Sequence, residues 1–412
     1  MAGVVRSFED LCTAVGDRPW NRPPAIVCNA HITGLGVARA LAANDVPVIA
    51  LDRTDWGVAP HSTAVDLAGR VTYPLDDVGG FRDDLERVAA EAGAEPVIFA
   101  CMDEWVHATV ECPPTGVRRP FADREAVETV LDKDAMYALA TDLDIPIPET
   151  VRLAGRDLDD VIDTLGLPLV VKPARKREFE ELLGTNVVEA TSKEEFREVV
   201  DRARSADVAV MAQEKVPVAA GADRSVVSYR PPADRGEPLA VVGNTRRRSP
   251  AGYGTGCLVR TVEDPALTEQ ALTLLETAGY YGISEAEYVY DDRREEYVLL
   301  DVNTRPWKWV GLPVAAGANL PMAAYADATG VDYEPDTVGR PTWIAVVDFL
   351  RACAADPNAL DLLPTDQRRA LLSGAFEDRH DLTTAVYAPS DPGPTAQLLA
   401  TTLGSQTYYC SC

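Results

Sequence analysis

The segment EAEYVYDDRREEYVLLDVN, residues 285–303, holds the residue types and spacing best suited to chemistry. It reads as two strands joined by a charged turn, and pairing about a centre near Arg294 sets Glu287 opposite Asp301. Side chains repeat with period two along a strand, so Asn303 shares that face. Two carboxylates and an amide oxygen converging there repel one another unless a hard cation sits between them, which is an arrangement for Mg²⁺. The solvent-facing side of an edge hairpin would have the same spelling. Arg305, two residues on, extends the edge and could meet a phosphate.

Only six of the 39 basic residues are lysine, and two of them stand in unusual places. Lys172 ends the apolar run LPLVV, where an ammonium carries a desolvation penalty unless an anion meets it. Lys133 opens a helix in LDKDAMYALATDLDIPIPET. A compact ammonium suits phosphate oxygens as a point charge, so the pair could grip a nucleotide's phosphates from opposite sides. For Lys133 alone, an ordinary surface helix start is the plainer alternative.

The stretch VMAQEKVPV joins two blocks and reads as a hinge, a common seat for an adenine ring. Gln213, Glu214, Lys215 and Val216 are the candidates there, and Asp223 could meet ribose hydroxyls. NTRRRSPAGYGTG sets Arg246, Arg247 and Arg248 beside a Gly-rich loop, with Arg260 on the next strand. Guanidinium forks match carboxylates or a transferred phosphoryl group, with Arg247 and Arg260 as candidates. On an alternating strand only Arg246 and Arg248, or else Arg247, can face a site, and the choice stays open. GLGVAR at 34–39 with Asp52 invites a dinucleotide reading, although Arg39 occupies the third glycine position. An NAD(P)-linked oxidoreductase is therefore the competing function, and a nucleotide-binding protein without turnover is a third.

These residues need elements to hold them. Residues 24–52 read as strand, Gly-containing turn, amphipathic helix and strand, a βαβ unit, and PVIFACMDE adds a strand, so 1–115 reads as an α/β domain with a parallel sheet. Two helical segments link it, over 116–147, to a small α+β block at 148–214. Residues 215–335 alternate like antiparallel strands around a helix at 264–279. The last stretch, 336–412, is helix-prone and reads as a covering subdomain. We expect the block at 148–214 to close as a lid.

Composition narrows the function classes. The 412 residues are 46% apolar, enough for a real core, and length alone suggests two to four folded units. The net charge of −26 disfavours phosphate backbones and anionic lipid as partners. Carboxylate-rich, lysine-poor surfaces stay hydrated at high salt, which points to a salt-adapted protein. The expectation is a cytoplasmic protein acting on small molecules, with no nucleic-acid or membrane partner, and a homodimer is one option for its assembly. Eight cysteines are too dilute for a disulfide scaffold, with Cys410 and Cys412 the one close pair, and four isolated histidines offer little for zinc.

In order, LDKD, LPLVVKP, MAQEKV, AEYVYD and LLDVNTRP make the chain resemble the ATP-grasp superfamily over about residues 25–335, and within it the carbamoyl-phosphate-synthase-like, D-aspartate-ligase-like carboxylate-amine ligases. The resemblance implies a Rossmann-like pre-ATP-grasp domain, a small lid subdomain, a larger antiparallel-sheet subdomain and a C-terminal helical extension. It implies that Lys133 and Lys172 bind ATP phosphates, that Gln213 to Val216 bind adenine, and that Glu287, Asp301 and Asn303 hold one or two Mg²⁺ or Mn²⁺ ions. Arg305 would touch the γ-phosphate. The implied reaction joins a carboxylate to an amine, or to a thiol, through an acyl phosphate. Position 301 carries aspartate where the family usually has glutamate, and the loop ARKREFEELLGTN after Lys172 lacks the usual glycines.

Overall fold

The structure, a computed structural model, describes residues 4–173, 179, 182–185, 187–336, 339–376 and 379–404. Most of the loop after Lys172, and both Cys410 and Cys412, lie outside the described residues.

Strands β1 (Val5–Arg6), β2 (Ala25–Cys28), β3 (Val48–Asp52), β4 (Leu67–Arg70) and β5 (Val97–Ala100) form an all-parallel sheet in the order β1-β4-β3-β2-β5. Such a sheet must be covered on both faces, which is why β2 and β5 are apolar throughout, and β3 is apolar up to its last residue Asp52, rather than alternating. Ala25 and Val27 pack with the helix Ile32–Ala42, while Ile26 and Cys28 pack with the helices Phe8–Gly16 and Val78–Ala92.

The small block is a four-stranded antiparallel sheet, β6 (Thr150–Arg152), β7 (Leu169–Pro173), β8 (Val188–Ala190) and β9 (Val210–Glu214), in the order β6-β9-β7-β8. The helices Leu158–Leu165 and Lys193–Ser205 cover one face, capped at their N-termini by Asp157 and Ser192. Leu169, Val171, Ala190 and Ala212 pack under them with Phe196 and Val200. The pleat therefore turns Val170, Lys172, Glu189 and Gln213 to the opposite face, where they line a cleft.

The third sheet has seven strands, β10 (Asp223–Arg230), β11 (Leu239–Ser249), β12 (Thr255–Val262), β13 (Gly282–Asp291), β14 (Glu296–Asn303), β15 (Thr342–Ile344) and β16 (Leu382–Thr384), in the order β14-β13-β10-β11-β12-β15-β16. The last two strands lie in the helix-prone segment 336–412 and join it to the larger sheet. Each is three residues long, too short for a periodic signal, yet β15 pairs with β12 and is wholly buried. Asp391 further ties this segment to the N-terminal domain, accepting from Arg39, Ser62 and the Thr63 amide.

The helices Arg124–Leu131 and Lys133–Asp142 connect the first sheet to the small block. Asp132 caps the second, accepting from the amides of Asp134 and Ala135 at 3.0 Å each, so Lys133 begins its first turn. No described helix is long and apolar enough to cross a membrane.

Candidate active site

A cleft of about 640 Å³ separates the four-stranded sheet from the seven-stranded one. That is a size suited to a small-molecule ligand. One part of its lining is apolar, with Val170, Val216, Val289 and Leu300. The other is charged, with Lys133, Lys172, Glu287, Asp301, Asn303 and Arg305.

The charged wall begins with the β13–β14 hairpin. Glu287 lies opposite Asp301 and Glu285 opposite Asn303, so the pairing centre near Arg294 is the observed one. A register shift then makes Leu300 an extra residue between Asp301 and Leu299, displacing the tip of the hairpin without disturbing the acidic face. The Asn303 amide donates to Glu287 Oε1 at 2.9 Å and to Glu285 Oε2 at 3.2 Å. Glu285 was not among the expected residues, although the period-two spelling E-A-E in EAEYVY was a signal for it.

Lys133 reaches this wall from its helix and donates to Asp301 Oδ1 at 2.5 Å, with its side chain 6% exposed. The expected phosphate lysine and the expected metal carboxylate thus form one ion pair. The carboxylate and amide oxygens of Glu287, Asp301 and Asn303 are hard donors, and that chemistry fits Mg²⁺. Among the described residues no three His, Cys, Asp or Glu side chains gather as a metal site, so an amide oxygen and phosphate oxygens would have to complete the shell.

Arg305 is 3% exposed and lines the cleft, with its guanidinium on Asp103 of the N-terminal domain. Asp103 lies 202 positions away, and nothing in the local sequence announces the contact. On the opposite wall, Lys172 alternates with buried Val171 as the strand reading required.

At the hinge the side chains have partners within the protein. Gln213 pairs with Thr150 on one side and Val170 on the other, and its amide donates to the Tyr137 hydroxyl and to Thr150 Oγ1, both at 2.9 Å. The Glu214 carboxylate accepts from the Glu149 amide at 2.9 Å, from Arg293 at 2.5 Å and from Arg294 at 2.6 Å. Burial works to raise its pKa, but these donors outweigh burial and hold it below the usual carboxylate value. Both side chains therefore secure the hinge. All four expected hinge residues line the cleft, with Lys215 and Val216 just past β9. Lys215 donates to Glu189 Oε1 at 2.5 Å, and Tyr253 from the Gly-rich loop donates to Glu189 Oε2 at 3.1 Å.

The arginine run also departs from simple alternation. Register shifts between Thr245 and Arg247 and between Arg247 and Arg248 break the period of β11, and Arg246, Arg247 and Arg248 all line the cleft. Arg248 donates to Asp223 Oδ2 at 2.8 Å, which engages the carboxylate expected to meet ribose. Arg246 donates to the Gly221 carbonyl at 3.2 Å, and Arg247 pairs with Asp356 at 3.1 Å. Arg260 is not brought to the cleft. It lies beyond the β11 bulge, pairing across to Asn244, and its guanidinium donates to the Leu362 carbonyl.

The residues that suggested a dinucleotide have protein partners instead. Asp52 accepts from the amides of Ala30 at 2.8 Å and Arg53 at 2.7 Å. A Cβ on Gly34 would approach the Asn29 carbonyl oxygen to 2.3 Å, and one on Gly36 would approach Val310 Cγ1 to 2.6 Å. These glycines allow close packing of the protein on itself.

No family model matches the chain. Its sequence is similar to D-alanine–D-alanine ligase of Acinetobacter baumannii, 27% identical over 173 residues, 40% of this chain. The match spans 53% of that relative, so the chain covers about half the length of the curated relatives it matches. Among solved structures, it is similar to carboxyaminoimidazole ribonucleotide synthase from Aspergillus clavatus complexed with ATP (TM-score 0.59, 15% identity, 82% of this chain and 88% of that one). It is also similar to N5-carboxyaminoimidazole synthetase from Staphylococcus aureus complexed with ADP (TM-score 0.60, 12% identity, 86% and 88%). A third similar structure is the biotin carboxylase of Campylobacter jejuni (TM-score 0.59, 14% identity, 77% and 74%). At these identities the likeness speaks for architecture, and with the ordered motifs it identifies the chain as having the fold of the ATP-grasp superfamily.

Proposed function

We propose that the chain is an ATP- and Mg²⁺-dependent ligase that joins a substrate carboxylate to an amine through an acyl phosphate. The observation that carries this reading is the meeting of Lys133, Lys172, Glu287, Asp301, Asn303 and Arg305 around one cleft with an apolar end. The apolar end, with Val170, Val216 and Leu300, suits a purine ring, and the charged end suits a triphosphate.

In this reading a substrate carboxylate oxygen attacks the γ-phosphorus and ADP leaves, giving an acyl phosphate. The amine then attacks the acyl carbon, losing a proton, and inorganic phosphate leaves as the amide forms. Such a transfer is catalysed by positioning and electrostatics rather than by a protein nucleophile. Lys172 and Lys133 place ammonium groups against phosphate oxygens from opposite walls, and Arg305 adds a guanidinium at the γ end. The Lys133–Asp301 pair must open or share its oxygen when a triphosphate enters. Mg²⁺ held by Glu287, Asp301 and Asn303 would neutralise charge spreading over the phosphate oxygens. Arg246, Arg247 and Arg248 ring the side where an acid substrate would approach. The four-stranded sheet acts as a lid that keeps water from the acyl phosphate.

The test is ADP formation during a pairwise screen of amino acids and small acids with amines. We expect one pair to stimulate ADP release and Lys172→Ala to abolish it with an unchanged melting profile. Undiminished ADP release in Lys172→Ala would overturn the assignment, and ATP binding without stimulation by any pair would favour a nucleotide-binding protein without turnover.

A further inference from the structure

Arg305 belongs to the charged wall, yet its guanidinium is held by a residue of the N-terminal domain, 202 positions away in sequence. Asp103 is the first residue of the helix Asp103–Glu111, just beyond β5 in the N-terminal domain. Its Oδ1 accepts from Arg305 Nε at 2.6 Å and its Oδ2 from Arg305 Nη2 at 3.4 Å. The same guanidinium donates to the Pro306 carbonyl at 3.2 Å and to Asn303 Oδ1 at 3.4 Å. Asn303 in turn donates to Glu287 and Glu285. A connected chain of polar contacts therefore runs from the N-terminal domain to the hairpin carboxylates.

An acidic residue in the first turn of a helix is ordinary helix stabilisation, and a buried ion pair can serve as a plain tether between domains. Two details go beyond that. Both Asp103 oxygens engage the rigid guanidinium fork, which fixes its plane as well as neutralising its charge. The arginine so fixed lines the cleft and touches the amide shared by two carboxylates.

We propose that Asp103 is a positioning residue for this site: it acts through Arg305, setting the guanidinium to meet the terminal phosphate. The proposal rests on the reading that the cleft takes ATP. By this assignment the N-terminal domain contributes to phosphoryl transfer and leaves purine binding to the hinge.

The experiment measures the binding of ADP and of a β,γ-imido analogue of ATP to the full chain, the Asp103→Asn, Asp103→Glu and Arg305→Ala variants and the Asp103→Asn/Arg305→Ala double variant, with Tm recorded for each. Asp103→Asn should weaken the analogue by about tenfold and leave ADP within about twofold, because the lost order bears on the terminal phosphate. The double variant should bind the analogue no worse than Arg305→Ala alone. Equal losses for both nucleotides, an equal cost of Asp103→Asn with and without Arg305, or a lowered Tm with both affinities intact would overturn the proposal and leave a tether. Should Asp103→Asn not fold, Asp103→Glu keeps the charge but shifts the fork, and must still lower the affinity for the analogue relative to ADP. An unchanged ratio there overturns it too. A wild-type chain that binds neither nucleotide would overturn the ATP reading itself, a result distinct from all of these.

Discussion

Two groups of carboxylates flank the cleft, and they differ in the kind of partner that holds them. At the hinge, Glu214 and Asp291 face Arg293 and Arg294, two acids against two guanidinium groups, and both arginines belong to the tip of the β13–β14 hairpin. That cluster closes on itself and holds the hairpin tip against the end of β9. At the base of the same hairpin, Asp301 draws Lys133 from 168 positions away, while Glu285 and Glu287 share the amide of Asn303. An acid group matched by two guanidinium groups fixes shape, whereas one joined to an ammonium and an amide on the cleft wall couples its elements to whatever enters between them.

Substitutions should separate the two groups. Glu287→Gln at the base removes a charge that the proposed reaction needs, and ADP formation should fall by at least about a hundredfold with little change in Tm. A Tm collapse with normal residual turnover would place Glu287 in the structural class. Glu214→Gln at the hinge should do the reverse, costing about 1–3 kcal/mol of stability because two guanidinium groups and an amide lose their acceptor charge. Denaturant titration checks this, and a loss under a few tenths of a kcal/mol would contradict it.

Acid sharpens the contrast. The folded pKa of Glu214 lies below its ordinary value of 4.5, so its contribution to stability is present above that pH and is lost as pH falls through the lower folded value. Glu189 shares this sign, chiefly through its hydrogen bond from Lys215. The slope of stability against pH on the acid side should be shallower in Glu214→Gln than in the wild type, and identical slopes would contradict the hinge account. The smallest expected effect is that of Tyr253→Phe, which removes one half-exposed hydrogen bond to Glu189 across the cleft. It should cost under about 1 kcal/mol and speed nucleotide release, read by stopped flow.

The same contrast explains what the sequence disclosed. The pairing of Glu287 with Asp301, the inward face of Lys172 and the parallel sheet were legible because period-two alternation and apolar runs are local signals. Asp103 on Arg305 and Lys133 on Asp301 were not, since tertiary contacts leave no periodic trace. Arg246, Arg247 and Arg248 resisted choice because alternation assumes a regular strand, and β11 bulges there. Gln213 and Glu214 line the cleft where the sequence put a hinge, but a side chain's partners on adjoining strands cannot be read from its own segment. Strands β15 and β16 were hidden by their brevity.

The central question is whether one triphosphate is gripped between the two sheets with the help of a divalent cation. Calorimetric titration of ATP, with and without Mg²⁺, into the wild type and Glu287→Gln answers it. The account predicts that Mg²⁺ tightens ATP binding to the wild type by at least about tenfold and does so far less in Glu287→Gln. Equal tightening in both proteins, or binding of NAD in place of ATP, would contradict it.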